Sequence, residues 1–140
     1  MALKQLSVIA ENKKGTLAKA TAALAAAGID LKSICVADAS EFGVFRMISS
    51  DVEGARQALT NVGLRVSTRS IAAVAIPNQP GELNRILQIL NNADINIEYM
   101  YSIISNKADS SYMAIRVDDN EKAESLLVEK GYSILTESDL

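Results

Sequence analysis

Apolar residues recur along the chain at a spacing that switches from two to three or four and back, and each switch marks an element. Leu6, Val8 and Ala10 alternate with Ser7 and Ile9, which predicts a strand with one buried face ending near Glu11. Gly15 to Ala27 holds seven alanines between Ala18 and Ala27, with Leu17 and Leu24 on one face and Gly28 as a stop. That composition and spacing predict a helix. Ile29 to Asp38 is β-branched and alternating, Phe42 to Ser49 is a second such run, and Ser40, Glu41 and Gly43 lie at the turn of the hairpin they form. Asp51 opens a second helix in which Val52, Ala55, Leu59 and Val62 recur at helical spacing before Gly63, and Leu64 to Thr68 makes a last strand. The order is βαββαβ.

The same order then returns, with strand Ala72 to Pro77, helix Pro80 to Ala93, hairpin strands Ile95 to Ser105 and Ser111 to Asp118, helix Asn120 to Lys130 and strand Tyr132 to Thr136. Leu24, Ala27 and Ile29 match Leu90, Ala93 and Ile95 at an offset of 66. Asp51, Glu53, Ala55, Leu59 and Gly63 match Asp119, Glu121, Ala123, Leu127 and Gly131 at 68, so a two-residue insertion falls between, as suits a loop. A period this long is a small domain rather than a solenoid repeat. The chain is therefore read as α+β, two ferredoxin-like modules over residues 1–69 and 70–140. The join at Arg69 and Ser70 is too short for a flexible tether, and one rigid body is expected.

Both copies break their alternation at one place. Apolar inward positions Ile29 and Leu31 are followed by Ile34 and Val36, and Ile95 and Ile97 by Met100, so a β-bulge is expected near Lys32-Ser33 and near Glu98-Tyr99.

Composition narrows the function. The formal charge is −3, from 14 basic and 17 acidic residues with no long basic run, which gives no footprint for nucleic acid or an anionic membrane. No run of apolar residues is long enough to span a bilayer and Met1 to Ala10 lacks signal-peptide character, so a cytoplasmic location is expected. With Cys35 as the one cysteine and no histidine, an internal disulfide, a Cys/His zinc site and an activated thiol are all unavailable. No cofactor is implied. The acidic residues Asp118, Asp119, Glu121, Glu124 and Glu129 read as helix cap and solvated face. Tyr99, Tyr101 and Tyr112 fall together on the open sheet face, where aromatics can stack bases. The acidic charge and the neighbouring Ile103 and Ala114 favour a buried face instead.

The distinctive motif is Asn-x-x-Gly-x-Leu. It occurs as Asn12, Lys13, Lys14, Gly15, Thr16 and Leu17, and again as Asn78, Gln79, Pro80, Gly81, Glu82 and Leu83, each time between a strand and a helix. First-turn N–H groups have no partner within the helix and carry the positive end of its dipole, so a carboxylate or phosphate can accept from them. A single such motif is as well explained by an N-cap and turn glycine. Its symmetrical recurrence points to binding.

This motif, followed by a helix that ends in Gly-Ile-Asp-Leu or Asp-Ile-Asn-Ile, resembles the ACT domain; the first copy departs from the pattern in having Lys14 where proline is expected. The resemblance covers residues 3–68 and 71–137. It implies modules that pair side by side into an eight-stranded antiparallel sheet with helices on one face, and amino-acid binding between the loop after one module's first strand and its partner's second strand. Carried over, it gives two pseudo-equivalent sites, loop Asn12 to Leu17 with Asn96 and loop Asn78 to Leu83 with Asp30. Helix-terminal amides would take the α-carboxylate, while the Asp30 carboxylate or the Asn96 carbonyl would accept from the α-ammonium. Asp30 against Asn96, and Lys13 with Lys14 in one loop only, predict unequal sites.

No nucleophile–base pair, phosphate loop with lysine or paired carboxylates can be found, so catalysis has no evident agent. The resulting expectation is a non-enzymatic regulatory protein that binds an amino acid and signals to a partner, such as a regulated enzyme. Nearly all residues are spent on the two modules, so the readout is expected to lie elsewhere. Exposed sheet edges suggest a homodimer. The competing readings are a ligand-free assembly scaffold and a small ferredoxin-like enzyme.

Overall fold

The computed structural model describes residues 3–37, 41–104, 106 and 109–140. The elements are β1 (Leu3–Glu11), α1 (Thr16–Ala26), β2 (Leu31–Ala37), β3 (Phe42–Ser49), α2 (Val52–Asn61), β4 (Arg65–Pro77), α3 (Glu82–Asn92), β5 (Ile97–Ile103), β6 (Ser110–Val117), α4 (Asn120–Glu129), β7 (Ser133–Ile134) and a 3-10 turn at Glu137–Asp139. The strand ends expected at Asp38 and Ser105, and the turn position Ser40, lie outside the described residues.

One expectation is corrected. The strands anticipated at Leu64 to Thr68 and Ala72 to Pro77 are a single strand, β4, which gives 7 strands among the described residues rather than 8. No glycine or proline lies between Arg65 and Ile76, so nothing turns the chain at Arg69-Ser70 and the backbone stays extended.

The chain divides into two compact units, Lys4–Arg69 and Ser70–Leu140, the latter together with the segment ending at Leu3. In the first unit β3 pairs antiparallel with both β1 and β2. Leu6, Val8 and Ala10 of β1, with Phe45 and Met47 of β3, form one face, and onto it pack Ala20 and Leu24 of α1 and Ala55 and Leu59 of α2. In the second unit β6 pairs with β4 and β5, and β7 with β4. Val74, Ile76, Ile115 and Val117 carry Ile86 and Leu90 of α3 and Ala123 and Leu127 of α4. Both helices of each unit thus cover one sheet face, and each fully buried leucine or isoleucine contributes roughly 1.5–3 kcal/mol.

Asp51 caps α2 by accepting from the Gly54 N–H at 3.0 Å, and Asp119 caps α4 from Lys122 at 3.0 Å, which accounts for the head of the acidic stretch. Both expected bulges are present. Leu31 and Ser33 face consecutive residues Ser49 and Ile48, leaving Lys32 as the extra residue, and Ile97 and Tyr99 face Val117 and Arg116, leaving Glu98. Past the bulge Ile34 and Val36 lie opposite Met47 and Phe45 and so share the helix-covered face, yet they remain 40% and 50% exposed. The inward reading of their direction is right but their burial is incomplete on this edge strand. On the opposite sheet face Tyr101 and Tyr112 are buried, and the rings of Tyr99 and Tyr101 stack at 6.4 Å. Tyr101 and Tyr112 are therefore unavailable to stack on a base. Among the described residues no helix is long and apolar enough to cross a membrane.

Candidate functional site

The two Asn-x-x-Gly loops have the same backbone. In the first, Asn12 N–H donates to Glu41 O at 2.8 Å, Lys13 N–H to Glu11 O at 3.0 Å, Thr16 N–H to Lys13 O at 3.3 Å and Lys19 N–H to Gly15 O at 2.9 Å. In the second, Asn78 donates to Asp109 O at 2.9 Å, Gln79 to Pro77 O at 2.8 Å, Glu82 to Gln79 O at 3.3 Å and Arg85 to Gly81 O at 2.9 Å. Gly15 and Gly81 have φ of +92° and +89°, a left-handed conformation that only glycine adopts at little cost, and a Cβ at either would meet nothing within 4 Å. Glycine is needed here for the turn itself. Neither helix has a side-chain N-cap bond, so neither asparagine is the cap. Among the described residues, the N–H groups of Lys14, Gly15, Leu17 and Ala18 find no acceptor, nor do those of Gly81, Leu83 and Asn84. Pro80 has no N–H to offer, so the Lys14/Pro80 difference gives the first loop one more donor.

The surroundings of the loops differ more than the loops do. The first borders an open pocket of ≈ 580 Å³ lined by Ile9, Ala10, Glu11, Lys13, Lys14, Gly15, Thr16, Lys19, Phe42, Gly63, Leu64 and Arg65. Lys13 is paired with Glu11 at 2.8 Å on the surface, and this contact holds the Glu11 carboxyl below its usual range and the Lys13 ammonium above its own. The second loop borders a smaller pocket of ≈ 290 Å³, lined by Pro77, Glu82, Arg85, Tyr132 and their neighbours. There the Tyr132 hydroxyl donates to Glu82 Oε2 at 2.8 Å and the Arg85 guanidinium lies 5.4 Å from the Tyr132 ring centre. Burial, reinforced by that hydrogen bond, pushes the phenol up. Of the residues expected in the loops, Leu17 and Leu83 stand about two-fifths exposed at the start of their helices.

Asp30 and Asn96 lie elsewhere in their modules. β1 ends opposite Phe42, whereas β2 begins opposite Ser49 at the other end of β3, about 23 Å away for a seven-residue rise. The second unit repeats this, with Asn78 beside Asp109 next to the start of β6, and Ile97 opposite Val117 at its end. No single module can bring its own loop and the residue before its own second strand onto one small ligand. Asp30 is exposed and its carboxylate pairs with Lys32 Nζ at 2.8 Å. The asparagine side chain is exposed and has no partner among the described residues.

Sequence reasoning missed Lys19, Phe42, Leu64 and Arg65 beside the first loop, and Arg85 and Tyr132 beside the second. A signal existed: Lys19 and Arg85 stand at the 66-residue offset and keep a cation, whereas Leu64 and Tyr132, at 68, differ in chemistry.

The family model described as ACT domain pair matches residues 1–140. Among solved structures, protein BT0572 from Bacteroides thetaiotaomicron is similar at 36% identity and a TM-score of 0.92, over 99% of this chain and 95% of that one. The regulatory subunit of aspartate kinase from Thermus thermophilus, in its ligand-free form, aligns with a TM-score of 0.65 at 21% identity, covering 91% of each chain. That of Thermus flavus gives 0.64 at 22% identity over 92% of each. The latter two likenesses are of fold. No curated protein matches the chain.

Proposed function

We propose, because this chain belongs to the ACT domain pair family, that it is a non-catalytic regulatory protein that binds a free amino acid and passes its occupancy to a separate protein. The observation that carries the reading is the pair of matched glycine loops, each presenting unpartnered N–H groups at a helix start. These amides suit an α-carboxylate, each charge-assisted bond contributing roughly 1.5–3 kcal/mol. The ammonium end falls to the residue before the second strand of a different module, Asn96 or Asp30, since a module's own such residue is too distant. Asn96 is the better-placed acceptor, because its carbonyl is unengaged whereas Asp30 must exchange Lys32 for the ligand.

Occupancy biases the readout only to the extent that the ligand binds one arrangement of modules better than another. The readout partner is a regulated enzyme, in the manner of the regulatory subunits whose fold it shares. The half-exposed Ile34 and Val36 on an edge strand favour assembly as a homodimer. The setting in this reading is cytoplasmic.

The test is thermal stability against the common amino acids at millimolar concentration. A ligand at 100 times its dissociation constant adds about 2.7 kcal/mol. Stabilisation by one or a few amino acids, weakened by Asn96→Ala, supports the assignment; no shift with any of them favours the scaffold reading.

A further inference from the structure

We propose that the open pocket of the first unit is a binding site for a small organic dianion, either a phosphate monoester or a dicarboxylate, in addition to the amino acid. The internal repeat supplies the comparison. Thr16, Lys19 and Leu64 occupy the places held in the second unit by Glu82, Arg85 and Tyr132. There the chain provides its own anion, for the Glu82 carboxylate accepts from Tyr132 beside the Arg85 guanidinium. In the first unit threonine replaces the carboxylate and leucine the phenol, while the cation is kept as Lys19.

The first pocket is also twice the volume, ≈ 580 against ≈ 290 Å³. Lys13, Lys14, Lys19 and Arg65 line it against the single carboxylate of Glu11, an excess of three positive charges in a chain whose net charge is −3. Glu11 is taken up by Lys13, whereas Lys14, Lys19 and Arg65 have no anionic partner among the described residues. The side-chain cations gathered this way around a concavity suit two negative charges rather than one. The other wall is apolar: Ile9 is 48% and Phe42 55% exposed, and Leu64 lies beside them, so the anion should carry an apolar body. In the second unit Ser110 stands in place of Phe42 and Ala75 in place of Ile9, so the apolar wall is reduced there.

The experiment is calorimetric titration of the full chain with phenyl phosphate, inorganic phosphate and succinate at low and physiological salt. Phenyl phosphate or succinate should bind with an affinity that falls with salt, and the tighter of the two identifies the anion's chemistry. Phenyl phosphate should bind more tightly than inorganic phosphate. Lys19→Gln and Arg65→Gln should each weaken binding by roughly threefold to tenfold. Thr16→Glu with Leu64→Tyr, which rebuilds the second unit's arrangement, should abolish it. Absence of dianion binding, or binding that survives both charge substitutions, overturns the proposal. Neither Lys19 nor Arg65 belongs to the proposed amino-acid site, so stabilisation by an amino acid should persist in those variants. A chain that binds phenyl phosphate through Lys19 yet no amino acid would uphold this inference while refuting the preceding one.

Discussion

Replacing Gly15 by alanine tests whether the loop depends on backbone conformation or on empty space. At φ +92° and ψ −14° an L-residue meets its own carbonyl, a cost of about 1–2 kcal/mol. The added Cβ touches nothing within 4 Å, so no steric term is added. Against this, alanine restricts the unfolded chain and returns about 0.4–1 kcal/mol. The expected net destabilisation is therefore about 0–1.6 kcal/mol, read as a fall in the midpoint of urea denaturation at unchanged slope, or as a drop in Tm of up to a few degrees. Gly81→Ala, at φ +89° with equally open surroundings, should behave alike. Gly54 provides the contrast: its helical backbone tolerates alanine, but a Cβ there would overlap the Asp51 carboxylate that caps α2, so its cost should vanish in an Asp51→Ala background. A stabilising Gly15→Ala would refute the conformational argument, and a loss above about 3 kcal/mol would refute the claim of open space.

Further outcomes follow from single residues. Asp94 is the one described non-glycine residue with positive φ, +57°, and stands where the first copy has Gly28 at +70°; Asp94→Gly should stabilise by roughly 0.5–1 kcal/mol in denaturant titration. Asp119→Ala should cost about 0.5–2 kcal/mol, because it leaves the Lys122 N–H without its cap at the start of α4. Burial pushes the Glu124 carboxyl above its usual range, and its Oε1 is enclosed without a hydrogen-bond partner among the described residues. The native state thus holds that proton more tightly than the unfolded chain, so stability is lost as pH rises from the unfolded value, about 4.3, through the raised native one. Glu124→Gln should therefore be the more stable protein at pH 7 and match the wild type near pH 4; an equal gap at both pH values would show that the carboxylate's charge is not the cause.

Much of the fold was legible because the duplicated chain reports each element twice. The bulges at Lys32 and Glu98 could be read from the reversal of alternation alone, since only an inserted residue puts Leu31 and Ile34 on one face. The continuous β4 was not legible, because a polar Arg69-Ser70 pair between two strand-like runs looks like a join although no residue there forces a turn. β1 starts earlier than expected, at Leu3, because buried Gln5, whose amide donates to Ser7 Oγ at 3.1 Å, interrupts the apolar pattern. The 3-10 turn at Glu137–Asp139 had a readable signal in Thr136 and Asp139, whose side chains form a capping box. For the site, the loops were visible as a motif, whereas Lys19 and Leu64 were marked only by their places in the repeat and Arg65 not at all, since folding alone brings the start of β4 beside the start of α1.

Amide NMR reads the loop N–H groups directly. Titrating the ¹⁵N-labelled chain with the common amino acids should, for the cognate one, move the resonances of Lys14, Gly15, Leu17 and Ala18, or of Gly81, Leu83 and Asn84, together with Asn96 or Asp30. Saturable shifts confined to those positions are the predicted result. An amino acid that binds while leaving every loop amide unmoved would contradict the account.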